Sequence, residues 1–146
     1  MPASLKIESA RLQMVDQQVR TWEVLDATVL EVLRQVHRDD FVPHPFRHVA
    51  FADSSVPLGH DQLMLAPKFD GRILQALAVT RSDEVLDVGT GSGFLAACLG
   101  RLGAHVRSVE IFPDLAERAT ANLHTAAANN VIVEVADAFK LADVNR

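Results

Sequence analysis

Apolar residues along the chain follow two regimes. In "IESARLQMVDQQVR", Leu12, Val15 and Val19 recur at helical spacing. In "DATVLEVLRQVHRDD" the stripe is stronger: Val29, Val32, Leu33 and Val36 share one face, and Asp26 or Thr28 can cap its start. Trp22 lies between the two helices and is expected to anchor one to the other. "FVPHPFRHVAFADSSVPLGHDQ" then carries Pro43, Pro45 and Pro57 and reads as loop.

From Pro67 onward the pattern alternates. "PKFDGRILQALAV" predicts a helix with Pro67 in its first turn. "DEVLDVG" predicts a short strand, and "SGFLAACLGRLG" a helix closed by Gly100 or Gly103. "AHVRSVE" is a second strand, "PDLAERATANLHTAAANN" a helix opened by Pro113, and "VIVEVADA" a third strand. Strand, helix, strand, helix, strand is a βαβαβ unit, so the predicted fold class is α/β with parallel strands preceded by helices.

The chain has 146 residues, 49% of them apolar, enough for a packed core. Its 14 basic against 19 acidic residues form no basic cluster, so the charge does not argue for a nucleic-acid partner. No apolar run approaches the length of a membrane span, and "MPASLKIESARLQ" has no apolar core with a cleavage site, so neither a membrane partner nor secretion is expected. Cys98 is the only cysteine; an intrachain disulfide is impossible and a cytoplasmic location is expected.

The chemistry concentrates in "VLDVGTGSGFLAACLG", where Gly89, Gly91 and Gly93 join the first predicted strand to its helix. Glycine permits a tight turn and close approach of a ligand to the backbone. The helix start behind it offers free N–H groups. Such a cradle sits at the C-terminal edge of a parallel sheet, the usual ligand site in these folds. A nicotinamide fingerprint would be G-x-G-x-x-G, but Phe94 stands at the third position. With Asp87 the pattern is D-x-G-x-G-x-G, which resembles the first motif of the Rossmann-like S-adenosylmethionine-dependent methyltransferases.

That resemblance implies S-adenosyl-L-methionine as cofactor, held around Asp87, Gly89, Thr90, Gly91, Ser92 and Gly93. Glu110 ends the second strand, 23 residues after Asp87, where a carboxylate can accept both ribose hydroxyl protons. Ile111 would offer an apolar face to the ring. Asp137, with Ala138 after it, ends the third strand, where the resemblance puts an aspartate at the adenine amino group.

Upstream, "MVDQQVR", "VLEVLRQVHRDDFVP" and "AFADSSVPLGHDQLMLAP" occur in that order. They resemble the N-terminal part of protein-L-isoaspartate O-methyltransferases, with their "R-x-x-F-V-P", "A-Y-x-D" and "L-P-I-G-x-G-Q-T-I-S-x-P" stretches. The resemblance runs from Met14 to Phe139. It implies residues 1–66 on the substrate side, 67–146 as a cofactor-binding half, and the two as one folding unit. It implies methyl transfer to the free carboxylate of an isoaspartyl residue in a polypeptide substrate.

The chain departs from the pattern twice. Leu63, Met64 and Leu65 stand for "T-I-S", and Leu65 cannot donate the hydrogen bond of the serine that the resemblance puts at the substrate carboxylate. Asp53, Ser54, Ser55 and Gln62 are the nearby substrate-side candidates, and "LMLAP" also reads as an apolar lead-in to the next helix. The chain also stops where a fourth strand is expected, so the family's C-terminal strands are expected to be missing and the first strand to form an exposed edge that self-associates. The rival reading is a non-catalytic relative that binds the cofactor or a protein partner without methyl transfer.

His44 and His48 are four apart, but flanking prolines argue against a helical metal pair, and no metal is expected. Arg34, Arg38 and Arg47 read as a solvated face, and Cys98 as a small core residue.

Overall fold

The computed structural model describes residues 2–141. The chain forms two compact units, Met1–Val79 and Thr80–Arg146. The segment 142–146, where the sequence pattern leads into a further strand, lies outside the described residues.

In the first unit, α1 (Ala3–Met14) runs into a π turn (Val15–Val19) and a 3-10 turn (Arg20–Trp22). Its buried arc is Arg11, Met14, Val15 and Val19, whereas Leu12 is exposed. Leu12 falls at the rim of that arc, which centres on the aliphatic stem of Arg11 rather than on the leucine. Trp22 does not pin α1 to the next helix. It stays 44% exposed and meets Phe69 edge-on, ring centroids 5.9 Å apart, with the Lys68 ammonium 4.1 Å from its ring centroid.

Helix α2 (Ala27–Gln35) starts at Asp26, whose carboxylate accepts from the Val29 N–H at 3.0 Å. Its buried face is Val29, Leu30, Val32 and Leu33, with Val36 buried just beyond its end. The proline-bearing stretch forms 3-10 turns at Arg38–Phe41 and His44–Val49, with His44 and His48 on the surface. It then forms a hairpin in a stretch that sequence reading takes as mostly loop. β1 (Val56–Gly59) pairs antiparallel with β2 (Gln62–Met64), and Gly59, His60 and Asp61 turn through successive positive φ angles. Two polar residues tolerant of that region beside a glycine make the turn possible. Helix α3 (Pro67–Leu77) belongs to this unit.

Arg38 is no surface residue: it is 1% exposed. Its Nε donates to the Ala50 carbonyl (3.0 Å), Nη2 to the Leu65 carbonyl (2.6 Å) and Nη1 to Asp70 Oδ2 (2.8 Å). One guanidinium thus ties the 3-10 turns, the strand exit and α3. Its rigid fork suits three fixed acceptors as an ammonium would not. Burial pushes the Asp70 carboxyl up to about 6, with the charge and hydrogen bond of Arg38 opposing that rise.

The second unit holds a parallel sheet in the order β3 (Glu84–Val88), β4 (His105–Glu110), β5 (Val131–Val135). Register runs Val85↔Val106↔Val131 and Asp87↔Ser108↔Val133. Helices α4 (Phe94–Leu102) and α5 (Pro113–Thr125) are the two crossovers. They bury Phe94, Ala97, Leu99, Leu115, Ala119 and Leu123, while Leu86, Val88 and Ile132 of the sheet are exposed. Among the described residues no strand pairs with the other edge of β3.

Gly103 closes α4, and Gly100 serves another purpose. Asn130 Nδ2 lies within hydrogen-bonding distance of the carbonyls of Gly100 (2.8 Å), Ala104 (3.1 Å) and Gly103 (3.4 Å), satisfying the helix end. A Cβ on Gly100 would sit 2.9 Å from Asn130 Oδ1 and 2.8 Å from Val131 Cγ2. The Gly100→Ala change is expected to destabilise the protein by about 1–2 kcal/mol, because this overpacking outweighs alanine's helix preference; thermal melts check it, and a raised melting temperature would show the end of α4 to be free to shift. Asp70→Asn tests the buried pair. With its folded value near 6 against 3.8 for the free carboxyl, Asp70 contributes stability that is present below 3.8 and lost as pH rises through 6. The stability gap between wild type and Asp70→Asn should therefore widen by about 1–3 kcal/mol from pH 7.5 to pH 4, measured by denaturant titration. A narrowing gap would mean that the Arg38 charge outweighs burial.

Candidate functional site

The C-terminal edge of the parallel sheet gathers the polar groups of the second unit. Gly89, Gly91 and Gly93 all have positive φ (85°, 59° and 91°), so the loop from β3 to α4 needs the backbone that only glycine adopts without strain. The loop is stitched to β4: the Gly89 and Thr90 N–H groups both donate to the Val109 carbonyl, at 2.8 and 3.2 Å. Ser92 caps α4 weakly, its Oγ accepting from Phe94 N–H at 3.3 Å, and its carbonyl accepts from Asn122 of α5 at 3.0 Å.

Glu110 ends β4 and is buried. Its Oε2 accepts the Gly91 N–H at 2.9 Å, and its Oε1 the Phe112 N–H at 3.3 Å. Each carboxylate oxygen offers a second lone pair, so two further donors can be received. Ile111, next in the chain, is 57% exposed, an apolar surface beside the carboxylate. A Cβ built on Gly89 meets nothing within 4 Å. The loop therefore borders open space at Gly89, whereas Gly93 faces Ala119 and Leu123 of α5.

Asp87 is held from below. Its Oδ2 accepts from Ser108 Oγ at 2.7 Å, and Ser108 Oγ lies 2.5 Å from Thr90 Oγ1. Burial raises the Asp87 carboxyl above its ordinary value; the Ser108 hydrogen bond works against that, and the nearby Glu110 charge adds to it. Asp137 lies just past β5, at the same sheet edge, since Ala136 N–H donates to the Glu110 carbonyl. Its Oδ1 accepts from Phe139 N–H at 3.0 Å and starts the turn Ala138–Lys140. Asp87, Gly89 to Gly93, Glu110, Ile111, Asp137 and Ala138 thus all meet at one edge.

These residues lie within a match to a known family. Residues 9–141 match Protein-L-isoaspartate(D-aspartate) O-methyltransferase (PCMT). The chain belongs to the protein-L-isoaspartate O-methyltransferase family. A Gloeobacter violaceus protein-L-isoaspartate O-methyltransferase is 38% identical over 127 residues, covering 87% of this chain and 62% of that protein. The Aeropyrum pernix protein of the same name is 42% identical over 135 residues, 90% of this chain and 52% of its own length. The chain therefore spans between half and two thirds of the length of these relatives. The fold agrees with a Plasmodium falciparum chain described as a beta-aspartate methyltransferase (PCMT), crystallised with S-adenosyl-L-homocysteine. There the TM-score is 0.79 at 17% identity, over 91% of this chain and 66% of that one. A solved protein-L-isoaspartate O-methyltransferase gives 0.73 at 20% identity, over 88% of this chain and 43% of the other. The fold class is Rossmann-like α/β.

In the first unit the hairpin separates the family's substrate-side candidates. Gln62 pairs with Gly59 at the turn end, where its Nε2 donates to the His60 carbonyl at 3.1 Å. Val56 pairs with Met64 at the open end, and Ser55 and Leu65 are the residues just outside that last pair. Asp53 is engaged by the Lys68 ammonium at 3.3 Å, and Asp53, Ser54 and Ser55 are all exposed. Leu63 and Leu65 are exposed while Met64, Ala66 and Pro67 are buried, so "LMLAP" is an apolar lead-in to α3 only in part. Two residues escape sequence reading. Ser108 is a hydroxyl inside an apolar strand, and its position two before Glu110 is the one hint. Arg38 hides in "HRDD", where its charge reads as surface. Among the described residues no three His, Cys, Asp or Glu side chains gather to hold a metal, and no helix is long and apolar enough to cross a membrane.

Proposed function

We propose that this chain binds S-adenosyl-L-methionine at the glycine loop and methylates the free carboxylate of isoaspartyl residues in polypeptides. The observation that carries the reading is the buried Glu110 carboxylate at the end of β4. It is clamped to the Gly91 N–H and keeps lone pairs for two more donors, beside a glycine whose Cβ position is empty. That acceptor set suits the vicinal hydroxyls of a ribose, which donate to it. When bound, the cofactor supplies an electrophilic methyl group on a sulfonium.

The chain's own residues do the rest. Glu110 receives the ribose hydroxyl protons. Asp137 has Oδ2 to accept from an adenine amino group while Oδ1 caps its turn. Ile111 offers an apolar face to the ring. Gly89 and Gly91 let the ligand approach the backbone where any Cβ would intrude. The acceptor needs no general base, because a carboxylate with an ordinary value near 4 is ionised at neutral pH. The protein's contribution to the chemistry is orientation. With Leu65 in the place of the family's serine, Ser55, which precedes the Val56–Met64 pair at the open end of the hairpin, is a nearby hydroxyl, and we assign it the contact to the substrate carboxylate.

The reading extends to location and assembly. A single buried cysteine suits the reducing cytoplasm. Among the described residues one edge of β3 is unpaired, and with the exposed Leu86 and Val88 on that strand it is read as a surface for a second copy of the chain.

Calorimetric titration with S-adenosyl-L-homocysteine is expected to show saturable binding at about micromolar Kd, lost by at least about tenfold in Glu110→Ala. Transfer of labelled methyl groups to an isoaspartyl peptide, and not to its aspartyl isomer, completes the test. Binding without transfer would leave the cofactor site standing and remove the assigned acceptor. In sedimentation at about micromolar concentration, a dimer or larger species is expected, and a clean monomer would refute the edge pairing.

A further inference from the structure

Ser108 is fully buried, in register with Asp87 on β3 and within hydrogen-bond distance of Thr90 in the glycine loop. A serine hydroxyl has one hydrogen to give. In this structure it goes to Asp87 Oδ2, at 2.7 Å. The contact with Thr90, at 2.5 Å, must then run the other way, with Thr90 Oγ1 donating to Ser108 Oγ. The result is a directed chain, Thr90 to Ser108 to Asp87, that starts in the loop and ends on the neighbouring strand. Asp87 lies on β3 two residues before the loop and Thr90 is the loop's second residue, so both contacts act where the loop leaves the strand; the loop is also tied to β4 by backbone bonds to Val109 and by the Glu110 clamp.

We infer that Ser108 is a positioning residue of the ligand site: its hydroxyl holds the start of the Gly89–Gly93 loop in the conformation that receives the adenosyl ligand, by linking Thr90 within the loop to Asp87 on the strand before it. A valine or alanine would satisfy the apolar packing of β4 at this position, as Val106 and Val109 do. Neither would serve the loop. Removing the hydroxyl leaves the nearly buried Thr90 Oγ1 and the Asp87 carboxylate without their shared partner. The loop can restore their solvation only by lifting off the strand.

This inference deepens the proposed cofactor reading and rests on it for the ligand, but not for the loop. The test compares Ser108→Ala with wild type, and with Gly100→Ala as a destabilised variant whose change lies at the other end of α4. Amide hydrogen exchange is read at Gly89, Thr90 and Gly91. Exchange there should be about tenfold faster in Ser108→Ala and unchanged in Gly100→Ala after correction for global stability. Affinity for S-adenosyl-L-homocysteine should fall about tenfold in the first variant and not in the second. Loop exchange in Ser108→Ala equal to that in Gly100→Ala overturns the inference. If wild type fails to bind S-adenosyl-L-homocysteine, the cofactor reading falls, and the exchange measurement still decides the role of Ser108. Should Ser108→Ala not fold, the near-isosteric Ser108→Cys, with its weaker donor, carries the same comparison, with an intermediate rise in loop exchange expected and none refuting it.

Discussion

Everything at the sheet edge depends on Glu110 being buried with its side-chain oxygens receiving backbone N–H groups. A carboxylate at that depth is unfavourable unless its lone pairs are used. Two of them are, by Gly91 and Phe112, one on each side of the strand end. The bond to Gly91 sets the height of the loop above β4. The same loop takes positive φ at Gly89, Gly91 and Gly93, and this is why glycine occupies them. The glycine loop and the carboxylate thus meet at one strand end, and the same carboxylate keeps lone pairs that the proposed function assigns to a ribose. On that reading scaffold and binding group are one side chain.

The elements that sequence reading recovers are those whose cause is local. Alternating strands and helices, Pro67 and Pro113 at helix starts and Asp26 as a cap all follow from residues within a few positions of one another. The glycine loop, Glu110 and Asp137 are legible because each ends a strand, and parallel strands bring their ends to one edge. The misses share a different cause. Arg38 is buried because acceptors from residues 50, 65 and 70 converge on it, and no window of sequence contains all three. Trp22 faces Lys68 and Phe69, more than forty residues away. Ser108 acts on Thr90 across a strand register that the sequence does not display. Charge and aromaticity are poor guides to burial when the partner is distant.

Arg38 and Glu110 solve the same problem with opposite sign. Each is a buried charge whose cost is offset by backbone groups of the opposite polarity as much as by any counter-ion. Arg38 collects two carbonyls and one carboxylate; Glu110 collects two N–H groups. Backbone dipoles cannot be titrated or mutated away, so this solvation persists across conditions that would neutralise a side-chain partner. Asp70 illustrates the contrast, since its carboxyl is pushed towards protonation even beside Arg38.

The grip of Arg38 also bears on Leu65. Its Nη2 holds the Leu65 carbonyl at 2.6 Å, so the backbone at that position is fixed whatever side chain it carries. The side chain itself is 43% exposed and contributes little to the core. A leucine left in solvent at a position whose backbone is already secured adds nothing to folding that a serine would not. Its selection is therefore to be sought in what approaches it from outside. An apolar side chain there would suit an acceptor with an apolar flank, and under the proposed function the carboxylate itself would fall to a neighbouring hydroxyl, that of Ser55 just outside the Val56–Met64 pair.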